Sequence, residues 1–123
     1  MKISVIIRNR NEEAYIGMAI QSVIDIFKDP EIIIIDNQST DESMKVVSLF
    51  DRHNIKKYSL NGNYTPGKAL NVGVEKASHD TILVLSAHSQ ITTLNIEMLS
   101  QWFRQDHVAV FGNQTPIYRG KKI

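Results

Sequence analysis

Four consecutive isoleucines, Ile32–Ile35, stand between Glu31 and Asp36 and form the most uniform hydrophobic block of the chain. The block is too short for a membrane span and too evenly apolar for a half-exposed strand. It predicts a strand buried on both faces, as in a parallel sheet covered by helices. Lys2–Ile7 (KISVII) and Asp80–Leu85 (DTILVL) have the same character and predict two further strands, the latter also buried. Ile55–Leu60 is less hydrophobic and predicts a short edge strand, and Val108–Phe111 a last short one.

Between these runs the pattern changes to a helical period. Glu12 and Glu13 open a helix to about Phe27, with two acids suiting the positive end of its dipole. Tyr15, Ala19, Val23 and Ile26 form one stripe of it, and Ile16, Ile20 and Ile24 a second, a wide face for a sheet and a neighbouring helix. Ser39 and Glu42 have capping-box spacing and predict a helix over Asp41–Arg52, with Met44, Val47 and Phe50 inward. Thr65 as N-cap and Pro66 at the first position predict a third helix over Gly67–Ala77. Thr92 or Thr93 caps a fourth, whose apolar side is Met98, Leu99, Trp102 and Phe103. Gly112–Ile123 is a polar, basic tail.

The order βαβαβαβαβ predicts an α/β, Rossmann-like parallel sheet with helices on both faces. Right-handed crossovers in a doubly wound sheet place the strands in the order third, second, first, fourth. The first and fourth then meet at a switch point. Arg8, Asn9 and Arg10 would face Ser86 and His88 across one crevice, with Asp36 beside them.

At 123 residues the chain suffices for one domain, read here over 1–123. A net charge of +1 gives no reason to expect nucleic acid or an anionic membrane as partner. The absence of cysteine excludes disulfides and thiolate metal sites. No apolar run approaches the ~20 residues of a membrane helix. With a strand at the very start and no signal segment, the expected location is cytoplasmic. The N-x-S/T triplets at Asn37, Asn63 and Asn113 are then chance.

A dinucleotide site needs a glycine-rich turn after the first strand, and Arg8-Asn9-Arg10-Asn11-Glu12 contains no glycine. Gly62-Asn63-Tyr64-Thr65-Pro66-Gly67-Lys68-Ala69 matches a phosphate-binding loop except at its last position. Ala69 lacks the hydroxyl that would hold magnesium, and Pro66 removes an amide from a loop that works through amides. A nucleoside-triphosphate hydrolase is therefore the third reading. What remains is two arginines, a lysine at a helix start and an acid at a strand end. Arginine and lysine neutralise a diphosphate, and Asp36 either accepts a base N–H or organises the turn after its strand. Arg8 and Arg10 would otherwise be ordinary exposed cations.

These residues carry a family likeness. The chain resembles the nucleotide-binding half of family-2 glycosyltransferases with the GT-A fold. ISVIIRNRNEE is similar to the opening strand and the start of the first helix, and EIIIIDNQSTDES to the second strand with its Asp-x-x-Ser-Thr-Asp turn. GKALNVGVEKA resembles the Ala-x-Asn-x-Gly segment, and DTILVLSAHS stands where a strand runs into the metal-binding Asp-x-Asp.

The resemblance implies a nucleotide-diphosphate sugar as ligand, an inverting transfer of its sugar to an acceptor hydroxyl, and a place in polysaccharide biosynthesis. It implies that Arg8, Asn9 and Arg10 border the nucleotide, that Asp36 contacts base or ribose, and that Lys68 contacts base or phosphate. Glu12 and Asn71 fall on motif positions where capping and packing serve equally well, and Gly73 permits close helix approach. Two departures stand out. Arg8 and Asn9 replace the usual Pro and Thr, and Ser86-Ala87-His88 replaces Asp-Ala-Asp, as in variants that resemble rhamnosyltransferases. The last acid of that motif would hold a divalent cation, Mn or Mg, on the donor diphosphate. His88 brings no negative charge and suits softer metals. Its readings, in order, are a phosphate or sugar contact, a metal ligand, and a strand end. No residue here is assigned as catalytic base; in the resembling enzymes that acid lies in a second half, beyond this chain. The enzyme's site would then be completed by that missing half or by a partner chain; the alternative is a non-catalytic nucleotide-binding or interaction module.

Overall fold

The computed structural model describes residues 1–60, 62–107, 109–118 and 121–122. Asn61, Val108 and the tail residues 119, 120 and 123 lie outside them. The elements run β1 (Ser4–Asn9), α1 (Ile16–Ile26), β2 (Glu31–Asp36), α2 (Ser43–Ser48), β3 (Ile55–Ser59), α3 (Pro66–Lys76), β4 (Ile82–Ser86), α4 (Ile96–Arg104), β5 (Ile117–Tyr118) and β6 (Lys121–Lys122). The first four strands form one parallel sheet in the order β3-β2-β1-β4. This is the doubly wound order expected, and it makes β1 and β4 neighbours.

The isoleucine block alternates between two cores because successive strand side chains point to opposite faces. Val5, Ile7, Ile32 and Ile34 pack with Ile16, Ile20, Val23 and Phe27 of the α1 layer and with Val47 of α2. Ile6, Ile33 and Ile35 pack with Ala69 of α3 on the other face. Ile6, Ile7 and Ile32–Ile35 are fully buried, each burial stabilising by roughly 1.5–3 kcal/mol. Gly73 lets α3 sit close: a Cβ there would fall 2.6 Å from Ile6 Cγ2.

Several boundaries differ from expectation, each for a local reason. β1 continues through Arg8 and Asn9 instead of breaking before them, because both pair in register with β2. Helix α1 starts at Ile16, not at Glu12. Asn11 turns the chain with φ 51°, and its Oδ1 accepts from the Thr40 N–H at 2.7 Å. Glu13 N–H donates to Asp41 Oδ2, and Glu13 Oε2 accepts from the Glu42 N–H, both at 3.0 Å. Asn11 and Glu13 are thus tied to 40–42, and the chain enters α1 through a turn in which the Glu12 carbonyl accepts from the Tyr15 and Ile16 N–H.

The capping box does not form either. Ser39 donates its hydroxyl to Asp36 Oδ1 at 2.6 Å, and Asp41 instead accepts from the Ser43 N–H at 3.0 Å. Helix α2 is therefore only Ser43–Ser48. Thr65 caps α3 as expected, accepting from the Lys68 N–H at 3.1 Å. Asn95 caps α4 in place of Thr92 or Thr93, accepting from the Met98 N–H at 3.0 Å.

β4 is not buried as its sequence suggests. It ends the sheet, and Val84 is 50% exposed. Residues 109–111 form no strand, and Phe111 is 90% exposed. The tail contains the short antiparallel pair β5–β6 where no element was expected.

Candidate functional site

β1 and β2 end in a polar pair held in register, Asn9 opposite Asp36. Asn9 Nδ2 donates to Asp36 Oδ1 at 2.9 Å, with Ser43 Oγ at 2.9 Å and Ser39 Oγ at 3.2 Å around the same nitrogen. Both serine protons are already committed to carboxylates, Ser39 to Asp36 and Ser43 to Asp41, each at 2.6 Å. Only a donor can face them, which fixes the orientation of the Asn9 amide. Its Oδ1 is thereby turned away, buried and without a partner among the described residues.

Asp36 is 5% exposed, and both its oxygens are engaged. Oδ2 accepts from the Ser39 N–H at 3.0 Å while Oδ1 takes Asn9 and the Ser39 hydroxyl. It organises the turn as well as bordering the site. Arg10 braces the same turn, its Nη1 donating to the Asn37 carbonyl at 2.6 Å and the Gln38 carbonyl at 3.3 Å.

On the other side of β1, Arg8 stands in register with Ser86 of β4. A crevice of about 150 Å³ opens there, lined by Arg8, Asn9, Arg10 and Glu12, by Ser86, Ala87 and His88, and by Tyr64 from the loop before α3. The structure thus brings together all the expected strand-end residues except Asp36, which lies one shell behind Asn9. Lys68 does not line the crevice; its Nζ donates to the Asn63 carbonyl at 3.2 Å. Glu12 Oε1 lies 3.2 Å from His88 Nδ1. Arg8 has no acceptor among the described residues, and its Nε is buried.

Tyr64 was not anticipated, although an aromatic in a Gly/Asn/Thr/Pro loop beside the crevice was a readable signal. A larger cavity of about 400 Å³ lies between α1 and residues 90–92. It holds Asp25, paired with Gln21, and no cationic residue, so it does not suit an anionic ligand.

Mn and Mg are hard cations that take several oxygen ligands. The crevice offers one imidazole and the carboxylate bonded to it, and no group of three His, Cys, Asp or Glu converges among the described residues. The side chains described do not by themselves make a ligand set for a resident hard cation.

An open parallel sheet with a polar crevice where its first and fourth strands meet defines the class of α/β domains that bind ligands at a topological switch point. Sequence comparison places the chain within it: residues 4–122 match the family model for glycosyl transferase family 2. The chain belongs to that family. It is 32% identical over 116 residues to the GalNAc(5)-diNAcBac-PP-undecaprenol beta-1,3-glucosyltransferase of Campylobacter jejuni, covering 91% of this chain and 38% of that protein. Staphylococcus aureus TarS in complex with UDP-GlcNAc superposes with a TM-score of 0.75 at 26% identity, over 85% of this chain and 32% of that one. The mannosyltransferase PcManGT of Pyrobaculum calidifontis, in complex with GDP-Man and Mn2+, shares the fold with a TM-score of 0.68 at 16% identity, over 75% of this chain and 29% of that one. The chain therefore spans less than two-fifths of these proteins. No helix among the described residues is long and apolar enough to cross a membrane.

Proposed function

We propose that this chain is the donor-binding part of a glycosyltransferase and holds a nucleotide-diphosphate sugar in the crevice between β1 and β4. The observation that carries the reading is the pair of unmet groups there, the Arg8 guanidinium and the Asn9 Oδ1. A buried polar atom without a partner costs stability, and a ligand offering its complement removes that cost. Arg8 is matched by a phosphate, and Asn9 Oδ1 by an N–H or O–H of base or ribose. Asp36 acts on the nucleotide chiefly by holding Asn9. Arg10 supports the turn and adds positive charge at the rim, as does Lys68 from farther out.

With Glu12 Oε1 accepting from its Nδ1–H, His88 keeps Nε2 for a phosphate oxygen or a sugar hydroxyl of the donor. Ser86 adds a hydroxyl beside it. Residues 1–123 form a single domain in this reading, with 112–123 leading toward an acceptor half. In the transfer, an acceptor hydroxyl oxygen bonds to the sugar's anomeric carbon as the bond to the diphosphate breaks. Attack opposite the leaving group inverts the centre, and the hydroxyl proton passes to a base in that second half. The relatives' names, a poly-beta-1,6-N-acetyl-D-glucosamine synthase among them, support a role in polysaccharide biosynthesis, and the Mn2+ of the mannosyltransferase complex supports metal use in the wider fold.

Calorimetric titration of the chain with UDP, GDP and dTDP tests the site. One of them binds more tightly than its nucleoside, and Asp36→Ala weakens it about tenfold or more by releasing Asn9. Equal affinity for nucleoside and diphosphate, or an unchanged Asp36→Ala, removes the reading. A second reading, a nucleotide-binding module without turnover, is favoured by the absence of any convergent acid cluster among the described residues. It predicts the same binding but no transfer by the full-length protein.

A further inference from the structure

Resting on the reading of the crevice as a donor site, we propose that Arg8 takes the place of the divalent cation. The diphosphate is held directly by its guanidinium, and donor binding needs no metal. The basis is what two neighbouring strands bring to one rim of the crevice. Arg8 and Ser86 are partners in the parallel register of β1 and β4. Beyond that rung the chain runs into Ala87 and His88, so this wall of the crevice carries the Arg8 guanidinium and, from β4 and its continuation, no carboxylate.

An arginine repels a divalent ion, and a rim without convergent acids among the described residues leaves such an ion short of ligands. The two together make a site that is positive without metal. A guanidinium presents a planar fork of N–H donors that matches two phosphate oxygens at once, which a point-like ammonium does not.

The other cations do not fill this role. Arg10 is already bonded to the carbonyls of Asn37 and Gln38, and Lys68 to that of Asn63. Arg8 is the crevice cation with no partner among the described residues, its buried Nε lacking any acceptor. Glu12, the one carboxylate in the lining, is engaged with His88 rather than with Arg8.

The experiment is calorimetry of the whole chain with UDP, GDP and dTDP, in EDTA and again in excess Mn2+ or Mg2+. The affinity of the preferred diphosphate is expected to be the same in all three conditions. Arg8→Gln weakens it roughly tenfold to a hundredfold, as loss of a charge-assisted contact does, while the nucleoside alone binds as before. Arg8→Lys keeps the charge without the fork and recovers part of the loss. Binding abolished by EDTA and restored by Mn2+ overturns the proposal, as does an Arg8→Gln variant of unchanged affinity. The wild-type metal comparison decides even if Arg8→Gln fails to fold. If no diphosphate binds in any condition, the donor-site reading beneath it fails instead, a result distinguishable from metal-dependent binding.

Discussion

β1 and β2 carry a polar pair at each end of an apolar ladder, and the two ends are finished in opposite ways. At the amino end Ser4 stands in register with Glu31, which is only 1% exposed. Glu31 Oε1 accepts from the Ser4 hydroxyl and the Ser78 N–H, both at 2.7 Å. Its Oε2 accepts from Lys56 Nζ at 2.7 Å and the Ser78 hydroxyl at 2.6 Å. At the carboxyl end Asn9 and Asp36 form a comparable network, yet Asn9 Oδ1 and the neighbouring Arg8 Nε are left without partners. A saturated network locks strands together and has nothing to offer a ligand. An unsaturated one gives up stability and keeps a binding capacity. In this sheet the amino ends of the two central strands are closed by a saturated network, and their carboxyl ends keep two unpaired groups.

The contrast breaks most sharply at Glu31. Burial alone would raise its carboxyl, but the hydrogen bonds from Lys56, Ser78 and Ser4 outweigh that and lower its pKa from 4.5 to about 2. A folded value below the ordinary one means that this contribution is complete above pH 4.5 and lost as pH falls toward 2. Glu31→Ala should cost about 3 kcal/mol in urea unfolding at neutral pH, since it strands a buried set of donors. Glu31→Gln should flatten the acid limb of the stability profile. Neither should alter nucleotide affinity, and a matching loss of binding would erase the distinction between the two ends.

Asn9→Ala is the complementary change. It removes the donor that faces Asp36, Ser39 and Ser43, and should cost about 2 kcal/mol while abolishing measurable nucleotide binding. A variant that unfolds more easily but binds normally would show that the carboxyl end is structural only. Ser78→Ala gives the smallest effect, about 1 kcal/mol with unchanged affinity, because Ser4 and Lys56 still hold Glu31.

The central sheet was legible because its signals are local: four isoleucines in a row, turn residues after each run, Thr65 ahead of Pro66. The strand order followed from connection handedness. What escaped depends on partners far apart in sequence. Glu31 reads as an ordinary strand start until Ser4, Lys56 and Ser78 converge on it. Ser39 and Glu42 have the spacing of a cap, but Asp36 takes the serine first. DTILVL reads as a central strand, yet in this chain it is the sheet edge, because what should lie beyond it is not supplied by residues 109–111. Of the crevice, Arg8, Asn9, Ser86 and His88 were readable from strand ends and Tyr64 from its turn-rich loop, whereas the commitment of Asp36 to Asn9 needed three dimensions.

The bare α-carbon at Gly73 has a reach greater than its size. It sets how low α3 settles on Ile6, and the amino end of α3 carries the loop that brings Tyr64 over β1. A methyl at that spot would press on Ile6, so that either the helix or the isoleucine must give way. The seat of α3 on the sheet is thus set from the middle of a helix, by a group that is not there.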